Sequence, residues 1–88
     1  MSPSDEKNIS EWCVYALDCK GKIYIGITND LPRRLKAHST GNGSRFVRAH
    51  LPFTVMGQIA CKTRSDALKI EARLKKLPRA DKLMAFEK

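Results

Sequence analysis

The sequence predicts a mixed α/β (α+β) domain, a three-stranded antiparallel β-sheet flanked by helices. Three observations carry this. Segments 12–17, 22–28 and 53–61 are short and rich in β-branched and aromatic residues. The segments that follow them space apolar residues three and four apart and open on Asn, Asp or Ser. With 88 residues, the chain has material for one hydrophobic core and no second.

Met1 to Ser10 is polar, contains Pro3 and has no periodicity, so it reads as a flexible N-terminal leader to a single domain over 11–88. Trp12 to Leu17 has apolar residues on both faces, and Lys22 to Thr28 alternates Ile23, Ile25 and Ile27 with Lys22, Tyr24 and Gly26. Joined at Gly21, the two make a hairpin. A Lys20-Gly21 loop sets Tyr15 opposite Gly26, whereas an Asp18 to Gly21 loop sets it opposite Tyr24. Either even-numbered loop puts Tyr15 and Tyr24 on one sheet face.

Asn29 or Asp30 caps the first helix, which tolerates Pro32 in its first turn and runs to about Ser39 before Gly41 and Gly43. Leu31, Leu35 and His38 share a face of it. Arg34 lies four residues before His38 at the edge of that face, with Arg33 and Lys36 pointing outward. Arg45 to His50 makes a short helical turn broken by Leu51-Pro52, and Phe53 to Cys61 is a third strand weakened at Gly57. Ser65 is the expected cap of the next helix, packed through Ala67, Leu68, Ile70, Leu74 and Leu77 and stopped by Pro78. Glu71 falls inside that apolar arc, where a bare carboxylate costs several kcal/mol, so it must be paired or ligated. An i,i+4 ion pair with Lys75 is the simplest partner, at ~0.3–0.5 kcal/mol. Ala80 to Phe86, with Leu83, Met84 and Phe86, is expected to close the core as a last short helix.

Seventeen Lys and Arg against nine Asp and Glu give a net charge of +8, and the 42% apolar fraction argues against a disordered tail. No run of the sequence has the length and apolarity of a membrane span or a signal peptide, so a cytoplasmic location is expected. The three cysteines form no CxxC or Cys/His pattern, which agrees with a reducing compartment and argues against zinc. Cys13 and Cys61 read as small core residues. From Leu31 to Ser65 seven basic residues (Arg33, Arg34, Lys36, Arg45, Arg48, Lys62, Arg64) occur with no Asp or Glu. Such a block suits a polyanion, and phosphate best, because the guanidinium fork matches it.

The order of these elements resembles the GIY-YIG nuclease superfamily. Cys13-Val14-Tyr15 stands where GIY would be, Tyr24-Ile25-Gly26 matches YIG, Arg34 lies ten residues past Tyr24, and Glu71 lies on the helix after the third strand. The likeness covers Glu11 to about Phe86 and is nearest to the single-domain bacterial URI-domain members. It implies a metal-dependent endonuclease that hydrolyses DNA phosphodiester bonds with low sequence specificity in repair or recombination, on branched, nicked or single-stranded DNA. It also implies a catalytic set of Tyr15, Tyr24, Arg34, His38 and Glu71. Glu71 would hold one Mg²⁺ or Mn²⁺, Arg34 would clamp the charge of the transition state, and Tyr15 or Tyr24 would take the proton from water, with His38 orienting that tyrosine or competing as base.

Arg33, Lys36, Asn42, Ser44, Arg45, Arg48, Lys62 and Arg64 are the candidate nucleic-acid contacts, salt-sensitive and indifferent to sequence. Three departures stand out. Cys13 and Val14 replace the first Gly and Ile, Ile27 stands where excision-repair relatives have lysine after YIG, and no asparagine follows Asn42. These departures keep a second reading open, a non-catalytic DNA- or RNA-binding module on the same scaffold. A protein-binding adaptor with a basic face is a third, and the oligomeric state is left open.

Overall fold

The computed structural model describes residues 11–86. The expected leader, 1–10, lies outside the described residues. Strands β1 (Trp12–Cys19), β2 (Lys22–Thr28) and β3 (Phe53–Cys61) form one antiparallel sheet in the order β2-β1-β3. Helices α1 (Leu31–Ser39) and α2 (Arg45–Ala49) lie between β2 and β3, and α3 (Arg64–Lys75) and α4 (Arg79–Ala85) follow. The predicted α+β class and sheet are those observed.

β1 runs two residues beyond the expected Leu17, and the hairpin closes through the two-residue loop Lys20-Gly21. Both loop residues have positive φ, 55° and 88°, the left-handed geometry whose twist matches that of paired strands. Asp18 Oδ1 accepts from the Gly21 N–H at 2.8 Å and steadies the turn. This loop selects the first of the two registers: Tyr15 lies opposite Gly26, and Leu17 opposite Tyr24. The two tyrosines therefore share a face as diagonal neighbours. A bulge in β3 between the partners of Ala16 and Leu17 shifts the pairing from Gly57 to Val55 and leaves Met56 unmatched, which accounts for the expected weak point.

The sheet divides the core into two clusters. One face carries Val14, Ala16 and Ile25, packed with Cys61, Ala67, Leu74 and Phe86 from β3 and the last two helices. The other carries Tyr15, Leu17 and Cys19, packed with Val47 and partly buried Tyr24, Leu31, Leu35, Leu51 and Phe53. All three described cysteines are free and buried, Cys13 and Cys61 as expected. Burial is the largest cause raising each thiol's pKa, so they sit as packing groups rather than nucleophiles.

Several local expectations are corrected. Asp30 caps α1, accepting from the Arg33 N–H, but α3 is capped by Thr63 rather than Ser65, because the Thr63 hydroxyl reaches the Asp66 N–H at 3.1 Å. α3 ends at Lys75, before Pro78 can stop it, and Pro78 instead precedes α4. Leu68, Leu83 and Met84 are exposed. Only Ala67 and Leu74 on α3 are fully buried, since a twisted sheet three strands wide covers a narrower stripe of helix than the wheel allows. The last helix closes the core through Phe86 alone, which packs where Gly57 leaves room.

Candidate active site

The chemistry-bearing residues gather on the tyrosine face and around the open edge of β2. His38 was the residue whose isolated reading was a helix-surface histidine; the structure buries it to 1% exposure with the Leu31 and Leu35 side of α1. Its Nε2 shares a 2.8 Å hydrogen bond with the Tyr15 hydroxyl, itself 1% exposed as a residue. The Tyr24 ring meets the His38 ring edge-on at 5.4 Å between centroids and lies 6.2 Å from that of Tyr15. Three rings thus form one cluster assembled from three elements.

Glycines make this cluster possible. A Cβ on Gly26 would fall 2.7 Å from the Tyr15 oxygen, and one on Gly43 would fall 2.4 Å from His38 Nδ1. Gly26 of the Tyr24-Ile25-Gly26 triplet is therefore the floor on which the Tyr15 phenol lies, and Gly43 closes over the far side of the imidazole. That Nδ1 has no hydrogen-bond partner among the described residues. A buried N–H without a partner costs more than a bare lone pair, so the tautomer protonated at Nε2 fits better. In it, Nε2–H donates to the Tyr15 oxygen.

Electrostatics keep this pair neutral. Burial pushes the Tyr15 phenol well above the ordinary tyrosine range, the nearby Tyr24 adds to the rise, and Arg34 partly opposes it. Burial also lowers the imidazole pKa of His38, with the Arg34 charge in the same direction. Arg34 lies close enough to act on both groups. It also lines an open hollow of about 500 Å³ with Arg33, Thr28 and Asp30.

The tyrosine face was expected to be the floor of an open site, and this is corrected. α1 and α2 cover it, so Tyr15 is sealed, and access is at the β2 edge. There a groove of about 280 Å³ is lined by Tyr24, Phe46, Lys75 and Lys82. Phe46 stacks on Tyr24 at 6.0 Å and on His50 at 4.5 Å, and remains 37% exposed. Phe46, Lys75 and Lys82 were not singled out from the sequence. The signal for Phe46 was an aromatic residue between Arg45 and Arg48; nothing local in the sequence marked the two lysines.

Glu71 belongs to α3, which packs against the opposite face of the sheet. Its carboxylate pairs with Lys75 Nζ at 3.2 Å, with side-chain exposures of 19% and 56% respectively. The ion pair expected from spacing is present, and its lysine is a wall of the Tyr24 groove. Among the described residues no three His, Cys, Asp or Glu side chains converge as a metal cluster. Any cation at Glu71 would have that carboxylate as its main protein ligand, an arrangement suited to Mg²⁺, which retains waters and takes oxygens from a substrate phosphate.

The other candidates are dispersed. Arg45 and Arg48 ride on α2 beside Phe46, while Arg33 and Lys36 are exposed on α1. The Ser44 hydroxyl serves as the α2 cap, accepting from the Val47 N–H, and the exposed Asn42 amide donates to Thr40. Lys62 and Arg64 lie at the far end of the sheet, the Arg64 guanidinium 5.8 Å from the centre of the Trp12 ring. The cationic block therefore divides between two ends of the molecule.

The family model described as the GIY-YIG catalytic domain matches residues 11–84. A UPF0213 protein of Cupriavidus pinatubonensis is 40% identical over 74 residues, 83% of this chain and 82% of that protein. One from Xanthomonas campestris is 45% identical over 73 residues, 82% of this chain and 72% of that protein. The solution NMR structure of a UPF0213 protein from Bacillus halodurans superposes with a TM-score of 0.54 at 33% identity, covering 85% of this chain and 81% of that one. With the match extending from the first residue of the sheet region into the last helix, the chain belongs to the GIY-YIG nuclease family and is similar throughout to its UPF0213 relatives.

Proposed function

We propose that the protein is a metal-dependent endonuclease that hydrolyses DNA phosphodiester bonds with little sequence preference, in repair or recombination. The observation that carries this is the sealed Tyr15–His38 hydrogen bond behind a groove-lining Tyr24. Of the two tyrosines left open as general base, Tyr24 is the one substrate reaches. Its Oη takes the proton from the attacking water as the water oxygen bonds to phosphorus and the bond from phosphorus to O3′ breaks. Tyr15 and His38, neutral and buried, hold the Tyr24 ring at a fixed angle and act as positioning residues. Arg34 places positive charge beside this cluster, where phosphate oxygens gain negative charge.

Glu71 would hold the divalent ion, Mg²⁺ or Mn²⁺, whose chemistry is to offset charge on the leaving oxygen. Lys75 and Lys82 supply further cations to the groove, and Phe46 gives it an aromatic wall. Arg33, Lys36, Arg45 and Arg48 follow the flanking backbone through salt-sensitive contacts. No base-reading element enters this description, which agrees with low specificity. The location expected for such an activity is the cytoplasm; among the described residues no helix is long and apolar enough to cross a membrane.

The Lys75–Glu71 pair favours one rival, a nucleic-acid-binding module without catalysis, because it occupies the carboxylate. One comparison separates the two. Purified protein is assayed for cleavage of branched, nicked and single-stranded DNA with Mg²⁺ or Mn²⁺, beside Tyr24→Phe and Glu71→Ala. The nuclease reading expects cleavage by the native chain alone and salt-sensitive binding by all three. Binding without cleavage by the native chain on every substrate establishes the rival.

A further inference from the structure

The end of the sheet away from the hairpin carries a second groove, of about 680 Å³, that the proposed hydrolysis does not use. Its floor continues the tyrosine face. Gln58 pairs directly with Tyr15, and the next same-face pair of β1 and β3 is Cys13 with Ala60. Trp12 forms one wall, the only tryptophan of the chain and partly buried against the core. Thr28 and Asn29 line both this groove and the hollow that holds Arg33 and Arg34, so the two openings adjoin at one rim. Lys62 lines the groove, Arg64 stands over the Trp12 ring at 5.8 Å, and Glu11 is the one acid among the lining residues.

This combination matches one kind of ligand. A flat aromatic wall suits the π-face of a base, the side-chain amides of Asn29 and Gln58 suit its polar edge, and two cations suit the adjoining phosphate. An acidic peptide would use the cations but neither the ring nor a flat apolar floor. We propose that this groove is a nucleobase subsite, holding one unpaired base of a strand against Trp12 while the strand continues past Arg34 toward the Tyr24 groove. The assignment rests on the nucleic-acid reading of the protein but not on hydrolysis.

The single tryptophan makes the groove directly observable. Binding of a labelled oligothymidylate is followed by anisotropy, and Trp12 emission is followed in the same titration. An oligomer with the same number of phosphates but abasic sugars is the control, and thymidine monophosphate tests the base outside a strand. The oligothymidylate should quench Trp12 saturably. The abasic strand should bind about fivefold or more weakly and leave the emission unchanged, the loss of one stacked base.

Ala60→Leu, at an exposed position whose side chain fills the groove, should abolish the quench and weaken oligothymidylate binding by a similar factor. Its unfolding midpoint, read in parallel, should match that of the native chain. Thymidine monophosphate should bind far more weakly than the strand, and equal affinity overturns the strand assignment. If oligothymidylate binds while Trp12 stays silent, if the abasic strand quenches equally, or if Ala60→Leu changes nothing, the subsite is overturned and nucleic-acid binding stands. If no strand binds by anisotropy, both fall; if strands bind and quench without being cut, only the nuclease reading falls.

Discussion

The two faces of the same sheet are built on opposite rules. The face under α3 and α4 buries hydrocarbon, with Val14, Ala16 and Ile25 against Ala67, Leu74 and Phe86. The face under α1 and α2 buries a phenol and an imidazole, with one hydrogen bond between them and one ring nitrogen unpartnered. Apolar packing is non-directional and tolerates adjustment, whereas a buried polar pair works only at one distance and angle. The first face supplies stability, and the second uses part of it to hold rings in place. Tyr24 stands at the border, where the β2 edge lets solvent and substrate in.

The largest expected effect tests the border. Tyr24→Phe should lower cleavage about 10²–10⁴-fold, the usual contribution of a general base, while the unfolding midpoint and DNA affinity barely move. Retained cleavage would transfer the proton work to another group. On the hydrocarbon face, Ile25→Ala should cost about 2–5 kcal/mol in denaturant unfolding, with cleavage per folded molecule unchanged. A disproportionate loss of cleavage would mean the two faces are coupled.

Gly26→Ala tests the other face with a single methyl. The added carbon meets the Tyr15 oxygen at 2.7 Å, so a cost of about 1–3 kcal/mol is expected, together with loss of the Tyr15–His38 geometry and of activity. Gly57→Ala, whose nearest neighbour is the Phe86 carbonyl at 3.1 Å, should cost less and spare activity. Equal penalties in both assays would erase the distinction.

The pH dependence of stability follows from the same pair. The His38 pKa in the fold is below the ordinary 6.5, so the unfolded chain binds this proton first as pH falls. The stabilising contribution is complete above about pH 6.5 and is lost as pH drops toward the folded value. The Tyr15 pKa is raised, so its contribution holds below about pH 10 and is lost as pH climbs toward the folded value. Melting midpoints measured across pH should fall at both ends, and His38→Gln should flatten the acid limb relative to the native chain. The smallest effect belongs to Lys75→Ala, about 0.5 kcal/mol or less for an exposed i,i+4 pair, read by denaturant unfolding.

Much of the fold was legible because it is written in local rules. The Ile23, Ile25, Ile27 alternation marks β2, Gly21 marks the hairpin, and Asp30 with Pro32 opens α1. Where the reading missed, a neighbour decided: Thr63 outreached Ser65 as a cap, and the sheet lacked the width to cover Leu68, Leu83 and Met84. The candidate residues were legible only as types. Glu71 stood out because a carboxylate in an apolar arc needs a partner, but Phe46, Lys75 and Lys82 carried no comparable signal. Nothing within a few residues of them reports that they will meet Tyr24.

By itself the sequence determined the strands and helices, the shared face of the two tyrosines and the cationic block, because periodicity, capping and charge act over a few residues. Tertiary structure decided which tyrosine is sealed and which is open, that His38 turns inward, and that Glu71 comes from behind the sheet with its lysine at the β2 edge. It also divided the positive charge between two grooves. Those outcomes depend on how helices far apart in the chain close over one small sheet, and on the clearance left by the missing Cβ atoms of Gly26 and Gly43.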